Sequence, residues 1–120
     1  KRKKIVAVEP ENCPTLNVAL KKGKPSNVSV SGVAASALGA KSIGNICFNL
    51  SKENQIESLV ISDDEIETAR RLVWENHRIL VEPAGAAALA AIISGKYKPK
   101  TDEKLAVLIC GANPNIIPEF

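Results

Sequence analysis

The chain has 120 residues, of which 45% are hydrophobic, 24% charged and 3% aromatic. That composition supports a buried core and excludes wholesale disorder, and the length suits one domain or a piece of a larger one. The net charge of +3 gathers in Lys1, Arg2, Lys3 and Lys4, while the other 116 residues hold 12 basic against 13 acidic groups. With aromatic residues scattered singly at Phe48, Trp74, Tyr97 and Phe120, no basic stacking face for nucleic acid emerges.

No apolar run approaches the roughly 18 residues of a membrane span. The basic start is not followed by the apolar stretch and cleavage site of a secretory signal. Met is absent even from position 1, as expected of a segment excised from a longer chain. Cys13, Cys47 and Cys110 are odd in number and form no close pair. They read as reduced thiols of a cytoplasmic protein, not as a disulfide frame or a four-ligand zinc site.

Ile5-Val6-Ala7-Val8, closed by Glu9-Pro10, reads as a buried strand. A helix follows from about Pro14, carried by Leu16, Ala19 and Leu20 and stopped by Gly23. Ser31 to Leu38 reads as a short helix ended by Gly39, and Lys41 to Cys47 as strand or connector. Leu59-Val60-Ile61 is a strand that feeds Ser62-Asp63-Asp64-Glu65, a capping box opening a helix to about Asn76. In that helix Ile66, Ala69 and Val73 mark the inner face, Trp74 reads as core or interface packing, and His77 suits the C-terminal end. After Ile79-Leu80-Val81 and Glu82-Pro83, the alanine-rich run from Ala84 to Ile93 reads as a buried helix stopped by Gly95. Leu105 to Cys110 is a continuous apolar strand opening into Gly111-Ala112-Asn113-Pro114. Helices alternating with strands apolar on both faces give an α/β layer with a mostly parallel sheet.

Ligands of open α/β sheets bind beyond the carboxyl ends of the strands. Two such ends are sharp here, Val8-Glu9-Pro10 and Ile109-Cys110-Gly111. Cys110 is either a ligand contact, made accessible by the following Gly, or a small buried residue finishing a core strand. Glu9 is either a cation ligand or a strand-end carboxylate at the surface. Glu82 reads as the residue ahead of a helix-starting Pro. Paired carboxylates, a phosphate loop and a nucleotide fingerprint are all missing from the 120 residues.

Five ordered segments resemble the serine/threonine dehydratase family of pyridoxal-phosphate enzymes. They are Val6 to Pro10, Ala37 to Lys41, Val60 to Glu65, Ile79 to Ala91 and Leu108 to Asn113. The resemblance runs from Ile5 to about Asn115 and implies an α/β, mostly parallel, three-layer fold of the tryptophan-synthase-β type. By it, residues 1–120 are the C-terminal part of the large cofactor-binding domain, with the N-terminal catalytic portion lying upstream. It puts Cys110 against the pyridine nitrogen of pyridoxal 5'-phosphate, with Gly111 beside it. A neutral thiol there, unlike a carboxylate, does not keep the nitrogen protonated, which suits β-elimination. Cys in place of the family's commoner Ser is most similar to the serine dehydratase branch. Gly111-Ala112-Asn113 stands where the family shows Gly-Gly-Asn, so a positive φ at Ala112 is disfavoured.

The same resemblance implies a cation site made by the Glu9 carboxylate and the backbone carbonyls of Cys13, Leu38 and Ala40. Thr15 replaces the Asp of divalent-metal serine racemases, which favours potassium. The implied reaction converts L-serine or L-threonine to a 2-oxo acid and ammonia, in an enzyme that is a homodimer when complete. None of the twelve lysines stands in the family's cofactor-lysine context, so the chain alone is expected to be inactive. A serine racemase and a non-catalytic α/β interaction module are the competing readings. No nucleic acid and no membrane are expected as partners.

Overall fold

A computed structural model describes residues 3–112. Strand β1 (Val6–Pro10) and strand β2 (Glu57–Ile61) pair in parallel, with Val6 opposite Glu57 and Pro10 opposite Ile61. Between them come helices α1 (Thr15–Lys22), α2 (Ala35–Leu38) and α3 (Asn45–Glu53). After β2 come α4 (Asp63–His77) and α5 (Pro83–Ile93).

Side chains alternate across a strand, and this sorts the layers. Val6, Val8, Leu59 and Ile61 face the core formed with α4 and α5, where Ile61, Ile66, Ala69, Ala86 and Ala90 are fully buried. The other parity, Glu9 and Ser58, faces α1: Asn17 Nδ2 donates to Ser58 Oγ at 3.0 Å. Helices thus lie on both faces of a parallel pair, as the sequence pattern predicts.

Local chemistry fixes the helix ends. Gly23 closes α1 at φ 72°, a left-handed conformation that costs glycine little. Ser62 and Glu65 form the capping box of α4: Glu65 N–H donates to Ser62 Oγ at 3.2 Å and Ser62 N–H to Glu65 Oε2 at 2.7 Å. Lys96 Nζ adds a 2.8 Å ion pair to the same oxygen. Burial opposes ionisation of Glu65, but the Lys96 ammonium and the Ser62 N–H outweigh it and hold the carboxyl below its ordinary value of 4.5. His77 lies in the last turn of α4, as the sequence predicts. In α5 the small residues Gly85, Ala86, Ala87, Ala90 and Ala91 are buried and let the helix close on α4.

Several expectations change. The helix expected over residues 31–38 shrinks to Ala35–Leu38, because Gly32 takes φ 85° and breaks helical continuity before it. The strand or connector at 41–47 gives way to α3, which buries only Phe48 and Ser51 and leaves Ile46 and Leu50 exposed. So weak an apolar stripe carries little helical signal. Trp74 is not core: it stands 36% exposed on α4 with the Arg78 guanidinium 5.7 Å from its ring centre. Leu105–Cys110 is no strand among the described residues, since nothing bonds to it as a ladder partner. Ile79–Val81 forms a connector between α4 and α5. The buried Arg70 pins it, donating from Nε to the Val81 carbonyl at 3.0 Å while Nη1 holds Glu67. Asn113 and Pro114 lie outside the described residues.

Candidate functional site

The end of β1 leads directly into α1, and Glu9 joins them. Pro14 precedes α1 and offers no side-chain cap. The Glu9 carboxylate, half-buried beneath the helix start, takes over that role. Leu16 N–H donates to Oε1 at 2.8 Å, Asn17 N–H to Oε2 at 2.8 Å, and Thr15 Oγ1 to Oε1 at 3.2 Å. A carboxylate at a helix N-terminus is favoured by both the free N–H groups and the dipole. Glu9 is therefore the cap of α1 and not a solvated strand end. Its three donors occupy most of the roughly four lone-pair directions of the two oxygens.

Beside it, Cys13 is buried and its Sγ donates to the Ser31 carbonyl at 3.3 Å. Burial pushes this thiol above its ordinary pKa. The Cys13 carbonyl accepts from Thr15 N–H at 3.1 Å. Leu38, at the end of α2, is half-buried against the core, and Ala40 is exposed just beyond it. The loop before α2 is tied to the carboxyl end of β2 through Asp63. Oδ2 accepts from Asn12 Nδ2 and Val33 N–H, each at 3.2 Å. Oδ1 is buried and unpartnered. Gly32 is required here, because a Cβ would fall 2.4 Å from Asp63 Oδ2. No group of three or more His, Cys, Asp or Glu side chains fit to hold a metal forms among the described residues.

The second predicted strand end is built against the start of α5. Glu82 N–H donates to the Gly111 carbonyl at 3.0 Å. A Cβ on Gly85 would lie 1.5 Å from the Cys110 carbonyl oxygen, so the backbone of Cys110 rests on the bare face of α5. A Cβ on Gly111 would lie 1.8 Å from Glu82 Oε1. Gly111 takes φ 75°, whereas Gln55 and Arg78 are the only non-glycine residues with positive φ among those described. Gly111 thus makes the turn, and Ala112 is free of the strain that a positive φ would impose. Cys110 is exposed, which sets aside its reading as a buried strand end. Glu82 belongs to this cradle by its carboxylate as well as its backbone. Its signal in the sequence is the second Glu-Pro, which by itself marks only a helix start.

An exposed thiol, a following glycine and a carboxylate at a helix start thus meet at one polar corner. The residues suit pyridoxal phosphate in one respect: the Cys110 thiol stays accessible while Gly85 and Gly111 let its backbone close on α5.

A family model described as pyridoxal-phosphate dependent enzyme matches residues 1–111. The serine racemase of Dictyostelium discoideum is 37% identical over 75 residues, covering 62% of this chain and 23% of that protein. The serine dehydratase-like protein of Mus musculus is 34% identical over 117 residues, covering 91% of this chain and 36% of its own length. The crystal structure of a T.th. threonine deaminase superposes with a TM-score of 0.83 at 28% identity, covering 96% of this chain and 41% of that one. The chain thus spans about a quarter to two fifths of the length of these relatives, and its α/β layers are those of the tryptophan-synthase-β type. It belongs to the family of pyridoxal-phosphate dependent enzymes.

Proposed function

We propose that the chain forms the C-terminal part of the large domain of an L-serine/L-threonine dehydratase. The whole enzyme would release a 2-oxo acid and ammonia. The single observation that supports this most is the corner at Cys110, where Gly85 and Gly111 let the backbone close on α5 and leave the thiol accessible. When bound, pyridoxal phosphate supplies the electron sink for loss of the substrate β-hydroxyl. Cys110 would meet the pyridine nitrogen as a neutral partner, and the Gly111 turn would keep side-chain atoms out of its way. Glu82, beside Gly111, would fix the turn through its backbone N–H.

The cation part of this reading rests on donor chemistry. One carboxylate, Glu9, and the carbonyls of Cys13, Leu38 and Ala40 are hard oxygen donors of low total charge, which suits potassium better than a divalent ion. Glu9 would add the cation to its three existing donors. The N-terminal portion, with the cofactor lysine, would come from upstream sequence, and the complete enzyme would be a homodimer. The chain alone would turn over nothing. Three free thiols support a reducing compartment, the cytoplasm.

The test is the complete enzyme, this chain with its upstream catalytic portion, supplied with L-serine or L-threonine. Pyruvate or 2-oxobutanoate with ammonia is expected. The identity to a serine racemase favours a second reading, and D-serine formation without the 2-oxo acid would establish that one instead. Neither product would leave a non-catalytic module.

A further inference from the structure

Arg70, on the same helix as the buried Ile66, Ala69 and Val73, is only 3% exposed. Its charge is met by Glu67, whose two carboxylate oxygens accept from Nη1 at 2.9 and 2.8 Å. That pair does not explain the burial. Glu67 lies one turn away on the same helix with its side chain 39% exposed. Such i, i+3 pairs form readily at a surface, without taking a guanidinium out of water. The contact that needs burial is made by the inner nitrogen. Nε donates at 3.0 Å to the carbonyl of Val81, itself 2% exposed.

The Val81 carbonyl and the Glu82 N–H are the two ends of one peptide group, and a peptide group is planar. Arg70 holds its oxygen, and its N–H donates to the Gly111 carbonyl at 3.0 Å. Turning the plane at one end therefore moves the bond at the other. A charged donor on the carbonyl also polarises the group and strengthens the bond that the N–H makes. The Val81 side chain reaches the same corner. A Cβ on Gly85 would lie 2.9 Å from Val81 Cγ2 and 1.5 Å from the Cys110 carbonyl oxygen, so both rest on one bare patch of α5. Buried charge, peptide plane and glycine turn form one line from α4 to Cys110.

We propose that Arg70 is a positioning residue for the Cys110 corner. Its Nε fixes the Val81–Glu82 peptide, the peptide fixes Gly111, and Gly111 sets where the preceding thiol stands. Glu67 holds the far end of the guanidinium and so aims Nε. The residue type follows from this geometry. Lysine has a methylene where arginine has Nε, so it would keep a charge near Glu67 and lose the donor to Val81. The placement of the thiol is independent of the proposed activity; that the thiol faces the pyridine nitrogen of pyridoxal phosphate rests on the dehydratase reading.

The test compares Arg70→Met and Arg70→Lys with Ser62→Ala, a control that opens the capping box of α4 without touching this peptide. The first arm uses the full chain in a Cys47→Ser background. Both Arg70 substitutions should speed hydrogen exchange of the Glu82 amide at least about tenfold relative to the Val73 amide inside α4. They should also raise the reaction rate of the Cys110 thiol at least about threefold, by freeing the segment that carries it. Ser62→Ala should leave both readings at their native values. Arg70→Lys keeps charge and bulk, and it decides the matter where Arg70→Met does not fold. Native readings in Arg70→Lys, or the same changes in Ser62→Ala, would overturn the proposal. The second arm uses the complete enzyme with nitrogen-15-labelled pyridoxal phosphate. Arg70→Lys should move the ring-nitrogen signal in the same direction as Cys110→Ala, and Ser62→Ala should not move it. A signal that answers to Cys110→Ala but not to Arg70→Lys would overturn the proposal and leave the dehydratase reading standing. Altered Glu82 and Cys110 rates, with a signal indifferent to Cys110→Ala, would do the reverse.

Discussion

Gly85→Ala sets two physical effects against each other. On helix propensity alone, replacing a glycine inside α5 should stabilise the chain by about 1 kcal/mol. The structure opposes this, because the new methyl would sit 1.5 Å from the Cys110 carbonyl oxygen, 2.7 Å from its carbon and 2.9 Å from Val81 Cγ2. Ordinary contact begins at 3.4 Å, so the Cys110 backbone must retreat by almost 2 Å. Overpacking of this kind costs about 1–3 kcal/mol. Set against the helix gain, a net loss of about 0–2 kcal/mol is expected, with the almost 2 Å retreat placing it toward the upper end, a fall of up to roughly 10 °C in Tm for a chain of this size. Urea and thermal unfolding measure the loss. In a Cys47→Ser background, the reaction rate of the Cys110 thiol reports whether that segment has lifted from α5. A rise in Tm with an unchanged thiol rate would refute the claimed contact.

Other consequences follow from the same structure. Glu9→Ala should destabilise by about 2–3 kcal/mol and Glu9→Gln by about 1–2, since three donors at the start of α1 lose a charged acceptor; a neutral result in denaturant titration would remove Glu9 as the cap. Ser62→Ala should cost about 1 kcal/mol by opening the capping box of α4. Glu65 is held below its ordinary value, so its contribution to stability is complete above pH 4.5 and fades as pH falls through the lower folded value. Lys96→Met should flatten that part of the acid unfolding curve, and an unchanged curve would exclude the ion pair. A thiol reagent should modify two cysteines quickly, Cys47 and Cys110, and reach Cys13 only on unfolding.

Much of the layer order is legible in the sequence because it rests on local signals. The Ser62–Glu65 box, the Gly23 stop and the alanine-rich α5 declare themselves in the residues alone. The α3 helix does not, because Phe48 and Ser51 are its only buried residues and two apolar side chains point outward. The strand expected at Leu105–Cys110 fails for the opposite reason. Its sequence states the right propensity, but a strand exists only through a neighbour, and the described residues provide none. The site divides in the same way. Cys110 stands out from its place before Gly111, whereas the role of Glu82 depends on a contact between residues almost thirty positions apart. Glu9 is visible as a strand-end carboxylate, yet its hold on α1 emerges only once Pro14 is seen to leave that helix uncapped.

The central claim is that Cys110 meets the pyridine nitrogen of the cofactor as a neutral partner. It is tested most directly by nitrogen-15 NMR of labelled pyridoxal phosphate bound to the complete enzyme, in native, Cys110→Ser and Cys110→Asp forms. The ring nitrogen should be unprotonated at neutral pH in the first two and protonated in the third. A protonated nitrogen in the native enzyme, or a signal that ignores all substitution at Cys110, would contradict the account.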